Sequence, residues 1–152
     1  MPQPKISLVI ALLAFSLLSG CDAQLSANNV VAENTIAAET ASLGNTQIER
    51  AFANKQNDIQ VQGEGEVVKL LPDDTKGAQH QKFLVKINAQ QTLLFAHNID
   101  LAPRVPLQVG DTITFNGEYV YNPKGGVMHW THHDPDGHHE NGWIKLHNET
   151  YQ

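Results

Sequence analysis

Five of the eight histidines in this chain fall between positions 129 and 139, in the run Gly126-Val127-Met128-His129-Trp130-Thr131-His132-His133-Asp134-Pro135-Asp136-Gly137-His138-His139. Neutral imidazole is the commonest side-chain metal ligand, and its ordinary pKa lies close to physiological pH. Such density therefore points to a divalent-metal site, a catalytic site or a hydrogen-bonded network. Geometry limits how the residues can cooperate. On a straight strand His129 and His133 share a face but stand roughly 13 Å apart, which is too far for both to reach one zinc ion through bonds of about 2 Å. Asp134-Pro135-Asp136-Gly137 has the composition of a tight turn, with proline presetting φ and glycine free to turn left-handed. That turn predicts a hairpin that sets His132 and His133 opposite His138 and His139, with cross-strand Cβ atoms about 4.5–5.5 Å apart. Asp134 is then a third ligand or the carboxylate that fixes an imidazole tautomer.

His97 and Asn98 close the apolar stretch Leu93-Leu94-Phe95-Ala96 with two polar groups and are expected to line the same cleft. The expected ligand set is His129, His132, His133, Asp134 and His97, with His138 and His139 as a second tier and zinc as the expected ion. Two other readings stand beside it. An exposed histidine-rich turn can scavenge divalent metals without specificity, and buried histidines can simply satisfy one another. The spacing His-Glu-x-x-His of the zinc proteases is absent. His80, just after a glycine turn, is expected to be exposed. Trp130, Trp143, Tyr119 and Tyr121 either stack bases or sugars on a sheet face or serve as core, and the core reading is preferred.

The elements that must hold these residues read as β. Ile59–Val68 alternates apolar and polar positions and contains two glycines that let a long first strand bend. Pro72-Asp73-Asp74 and Lys76-Gly77 form a turn into a strand carrying Phe83, Val85 and Ile87. Asn88–Gln91 then turns the chain into Thr92–Ala96. After a loop or single helical turn at Asp100–Pro103, Gly110-Asp111 enters the strand Thr112–Tyr121. Pro123–Gly126 turns into a last strand predicted over Val127–His133. About five strands behind a long bent first one predict an all-β domain at 58–152: a small OB-like five-stranded barrel, with an open β-sandwich as the alternative. Thr46-Gln47-Ile48-Glu49 has the pattern of a capping box, and Ile48, Ala51 and Phe52 follow at helical spacing, so a short helix over about 46–56 precedes the barrel.

The first 20 residues give an address. Lys5 precedes an apolar run from Ile6 to Leu18, shorter than the roughly 20 residues a membrane-spanning helix needs but suited to a secretory leader. Leu18-Ser19-Gly20-Cys21 resembles a bacterial lipobox, with the chain's single cysteine at the position that takes the lipid. A mature chain without a free thiol must build any metal site from His, Asp or Glu. Residues 21–45 are small and polar with scattered aliphatics, a composition that reads as a flexible tether. The expected setting is a periplasm-facing lipoprotein held to the inner or outer membrane by lipid on Cys21.

The net charge is −6, and losing the leader with Lys5 makes it one unit more negative. General nucleic-acid binding is therefore not expected, because repulsion opposes the counterion release that drives it.

From Val61 to Tyr151 the chain resembles a family of small secreted bacterial proteins, a domain of unknown function numbered three-four-six-five. The residues that carry the resemblance are Leu70–Asp74, His80–Phe83, Ala96–Arg104, Gly110-Asp111, Gly117–Tyr119, His129–Pro135 and Gly142–Ile144. The family pattern varies at positions 138 and 139 and usually has a glycine near 148 or 149. The resemblance implies a secreted domain and no particular activity. Three function classes follow from the residues themselves: a module that binds a metal or small polar ligand; a metal-dependent hydrolase such as a nuclease or phosphodiesterase, with one histidine as general base; and a structural envelope protein that binds no ligand.

Overall fold

The computed structural model describes residues 44–152. The leader, Cys21 and nearly all of the expected tether lie outside the described residues. Among those that are described, no helix is long and apolar enough to cross a membrane.

A helix at 44–53 (α1) opens the described chain, and Ile48 and Ala51 on one face are fully sequestered in the core. It lies earlier than the 46–56 expected, because its C-terminal end is fixed by backbone geometry. Lys55 takes a left-handed φ of 52°, and Gln56 N donates to Ala51 O at 2.9 Å while Lys55 N donates to Phe52 O at 3.1 Å. This is the paired closure that terminates a helix. Asn45 ties the start of α1 to the barrel, accepting from Glu64 N at 3.0 Å and donating to Glu64 O at 2.9 Å.

Seven strands follow: β1 (Ile59–Leu70), β2 (His80–Lys86), β3 (Thr92–Asn98), β4 (Thr112–Val120), β5 (Val127–His129), β6 (Trp143–Leu146) and β7 (Glu149–Tyr151). The long β1 pairs antiparallel with β4 along Ile59–Glu66 and with β2 along Glu66–Leu70, with a register shift between Val67 and Lys69. β2 pairs with β3, β3 runs parallel to β5, and β5 pairs with β4. The sheet thus closes in the order β1-β2-β3-β5-β4-β1, the five-stranded OB-like barrel expected from the sequence. Its interior is filled by alternate residues of each strand. Phe83 stacks on Phe95 at 4.9 Å, and Phe95 meets Phe115 edge-on at 4.9 Å. Buried Gln81 is satisfied by the β3–β4 connection, donating to Val105 O at 2.8 Å and accepting from Val105 N at 3.0 Å.

The last predicted strand is broken. β5 ends at His129, four residues short of the expected His133, because Trp130 takes φ 52° and leaves the sheet. The chain returns to the same edge of β4 as β6: Glu118 pairs with His129, and Asn116 pairs with Trp143. Residues 130–142 are therefore a compact loop thrown out opposite Gly117, with its ends close together. β6 continues into β7 through His147 and Asn148, both at positive φ, in a two-residue turn.

Candidate functional site

The neck of the 130–142 loop is closed by Gly142 N donating to His132 O at 2.9 Å. Two glycines permit this crossing. A Cβ on Gly117 would stand 2.7 Å from His129 O, and one on Gly142 would stand 2.0 Å from Trp130 O. The tip of the loop is organised by Asp134, whose carboxylate accepts from Asp136 N at 2.9 Å and from His139 N at 2.7 Å. Asp134 N in turn donates to Asn141 Oδ1 at 2.8 Å, which ties the two limbs of the loop together. Loss of water around the Asp134 carboxyl pushes its pKa up, but the N–H groups of His139, Asp136 and His138 outweigh this and hold it at about 2. Asp134-Pro135-Asp136-Gly137 thus turns the chain within a loop rather than between two strands. The expected cross-strand pairing of His132 and His133 with His138 and His139 does not form.

The histidines occupy distinct environments. His97 is fully buried on the inward side of β3. Its Nε2 lies 3.2 Å from Pro103 O and its Nδ1 2.9 Å from Thr131 Oγ1. A carbonyl only accepts, so Nε2 carries the hydrogen and Nδ1 accepts from the threonine hydroxyl. Both nitrogens of His97 are occupied, and burial pushes its pKa down to about 4. It is Ala96 and Asn98, not His97, that line the external cleft. His132 is buried and its Nδ1 donates to His133 O at 2.8 Å. Burial lowers its pKa. His139 stands edge-on to His132 at 5.2 Å between ring centroids and donates from Nδ1 to Glu140 O at 2.7 Å. Its Nε2 is buried without a hydrogen-bond partner, 3.9 Å from Asp134 Oδ2. His129 Nε2 lies 3.2 Å from Glu118 Oε1, outside hydrogen-bonding geometry. Burial lowers the His129 pKa, against the pull of Glu118. His133 is exposed.

Trp130 gathers three of these rings: His139 at 4.2 Å, His129 at 5.6 Å and His132 at 5.9 Å. It was expected in the core, yet the residue is 37% exposed. It forms a wall of a cleft on the outer face of β2, β3 and β5. One arm of that cleft, about 260 Å³, is bounded by His80, Asn98, Trp130 and His132. The adjoining arm, about 350 Å³, is bounded by Asp74, Lys82, Val120 and Val127, and the arms share His80, Ala96 and His129. His80 is half-buried rather than exposed.

The expected ligand set is thus divided. His97 is sealed inside the barrel, His129 and His132 border the cleft, and Asp134 and His138 meet at the tip of the loop with Asp136. In this last group the donor atoms of Asp134, Asp136 and His138 all lie within 4.8 Å of one another. Asp136 was not among the residues singled out, although it sits within the turn that was. Glu118 was missed because its strand neighbours carry the core pattern, and only the β4–β5 register brings it to His129.

The chain was compared with protein-family models, and residues 30–152 match the model described as "Protein of unknown function (DUF3465)". The chain belongs to this family. No curated protein matches it. Within this DUF3465 domain, three of the segments that carry the family resemblance, His80–Phe83, Ala96–Arg104 and His129–Pro135, meet around the cleft and the base of the loop.

Proposed function

We propose that this DUF3465 chain is a lipid-anchored domain of the bacterial envelope that binds a divalent cation at the tip of its 130–142 loop. The observation that carries the reading is the convergence of Asp134, Asp136 and His138 to within 4.8 Å. The donor set, two carboxylates and one imidazole, suits a borderline ion such as zinc, with water at the remaining positions. A tetrahedral zinc needs donors about 3.4 Å apart, so the side chains must close by roughly an ångström, a movement that rotamer changes supply at exposed Asp136 and His138. Asp134 is already ionised and oriented by backbone donors, so it needs no deprotonation before binding.

Zinc added to the protein at pH 7.5 is expected to raise the melting temperature by several degrees through mass action. Asp136→Asn and His138→Gln should each remove most of the shift, whereas His147→Gln should leave it. Equal shifts in all three variants would exclude this site.

The anchor rests on Leu18-Ser19-Gly20-Cys21. Cys21→Ser is expected to release the protein from membranes or leave an uncleaved precursor. Metabolic labelling with an alkynyl fatty acid should vanish in this variant, and labelling that persists would refute the lipid anchor.

A further inference from the structure

We propose that the cleft between β2, β3 and β5 binds an uncharged saccharide, with Trp130 as the platform on which a sugar ring lies. This inference does not depend on the cation site. Trp130 is an aromatic residue that is 37% exposed to solvent, and it holds φ 52°. A left-handed backbone is a real outlier for a bulky residue, and such strain concentrates where a side chain must be presented to a ligand. The indole is braced by His139 at 4.2 Å and His129 at 5.6 Å, so its orientation is fixed before any ligand arrives. The floor beside it is made of small residues, Ala78 and Ala96, which leave space over the sheet.

The chemistry around the platform selects the class of ligand. Asn98 both donates and accepts, Asp74 accepts, and Lys82 donates, which is the mixture that sugar hydroxyls need. The charges argue against a phosphate-bearing ligand. The chain carries a net −6, and Lys82 is already paired with Asp74 at 4.0 Å, so no surplus cation faces the cleft from β2. Glu118 stands beside His129 and would repel a phosphate further. The shared face of β2 and β3 is also where barrels of this architecture offer their open surface to oligomeric ligands.

The test uses the full chain purified from membranes in a zwitterionic, sugar-free detergent. Titration calorimetry and intrinsic fluorescence are run with three probes, tri-N-acetylchitotriose, cellotriose and maltotriose, and with hexathymidylate as the phosphate-bearing comparison. At least one trisaccharide is expected to bind saturably, with a Kd in the millimolar range or tighter. Trp130→Ala should weaken that binding about tenfold or more, on the scale of one stacked ring. Trp130→Phe should retain much of it, and Trp143→Phe, whose ring lies on β6 against Lys145, should leave it unchanged. Asp136→Asn should also leave it unchanged, which separates this site from the cation loop. Three results would each overturn the proposal: no trisaccharide binds, Trp130→Ala binds as tightly as the wild type, or hexathymidylate binds through Trp130 where the sugars do not.

Discussion

Acidification from pH 7 to pH 4 is expected to remove about 3 kcal/mol of folding stability through His97 alone. The imidazole is fully buried and its pKa falls from 6.5 to about 4 on folding, chiefly because burial disfavours the charged form. Between these two values the unfolded chain binds more protons than the folded one, so stability falls as pH falls. It is complete above about pH 6.5 and is lost progressively down to about pH 4. Burial lowers the pKa of His129 and His132 as well, which adds to the slope in the same direction. For a domain with a total stability of about 5–15 kcal/mol this is a large fraction. His97→Gln should cost roughly 1–3 kcal/mol at pH 7 by disturbing the bonds to Thr131 and Pro103, while flattening the acid dependence. The urea midpoint measured against pH for both proteins checks this. Parallel pH profiles would show that another group carries the acid sensitivity.

Gly142→Ala is expected to be comparably severe. A Cβ at this position would stand 2.0 Å from Trp130 O and 2.7 Å from Asn116 O, and neither backbone atom can swing aside as a side chain can. Relief requires opening the neck of the loop, which breaks the bond from Gly142 N to His132 O and pulls β6 from its register on β4. Overpacking of this kind costs about 1–3 kcal/mol and occasionally more, and this one falls at the high end because the clash is with backbone. The melting temperature should drop by about 10 °C or more. Limited proteolysis should show new cleavage between residues 130 and 142. A variant that melts within a degree or two of the wild type would mean that the loop is not pinned at its neck.

The barrel was legible in the sequence because its signal is local and repeated. Phe83, Val85, Leu93, Phe95, Ile113 and Phe115 alternate within their own strands, and all six are buried. The loop at 130–142 was not. Val127 to His133 reads as one strand, and the residue that ends it is a tryptophan, a type favoured in sheets. What breaks the strand is tertiary. β6 occupies the edge of β4 that a longer β5 would have used, and the chain between them has to leave the sheet. The histidine cluster was visible as composition, but its division was not. Whether a histidine faces the core, the cleft or the loop tip depends on this excursion. His97 shows this plainly: the inward side of β3 and the bond to Thr131 turned an expected ligand into a core residue.

Cation binding at the loop tip is tested most directly by elemental analysis of the protein as its host makes it. The protein should be purified without a nickel column and without chelators, and its metal content set against protein concentration. About one divalent ion per chain is expected, zinc first, with that ion lost from the Asp134→Asn, Asp136→Asn and His138→Gln variants. Protein that is free of divalent metal, or that keeps its metal when these three residues are changed, would contradict it.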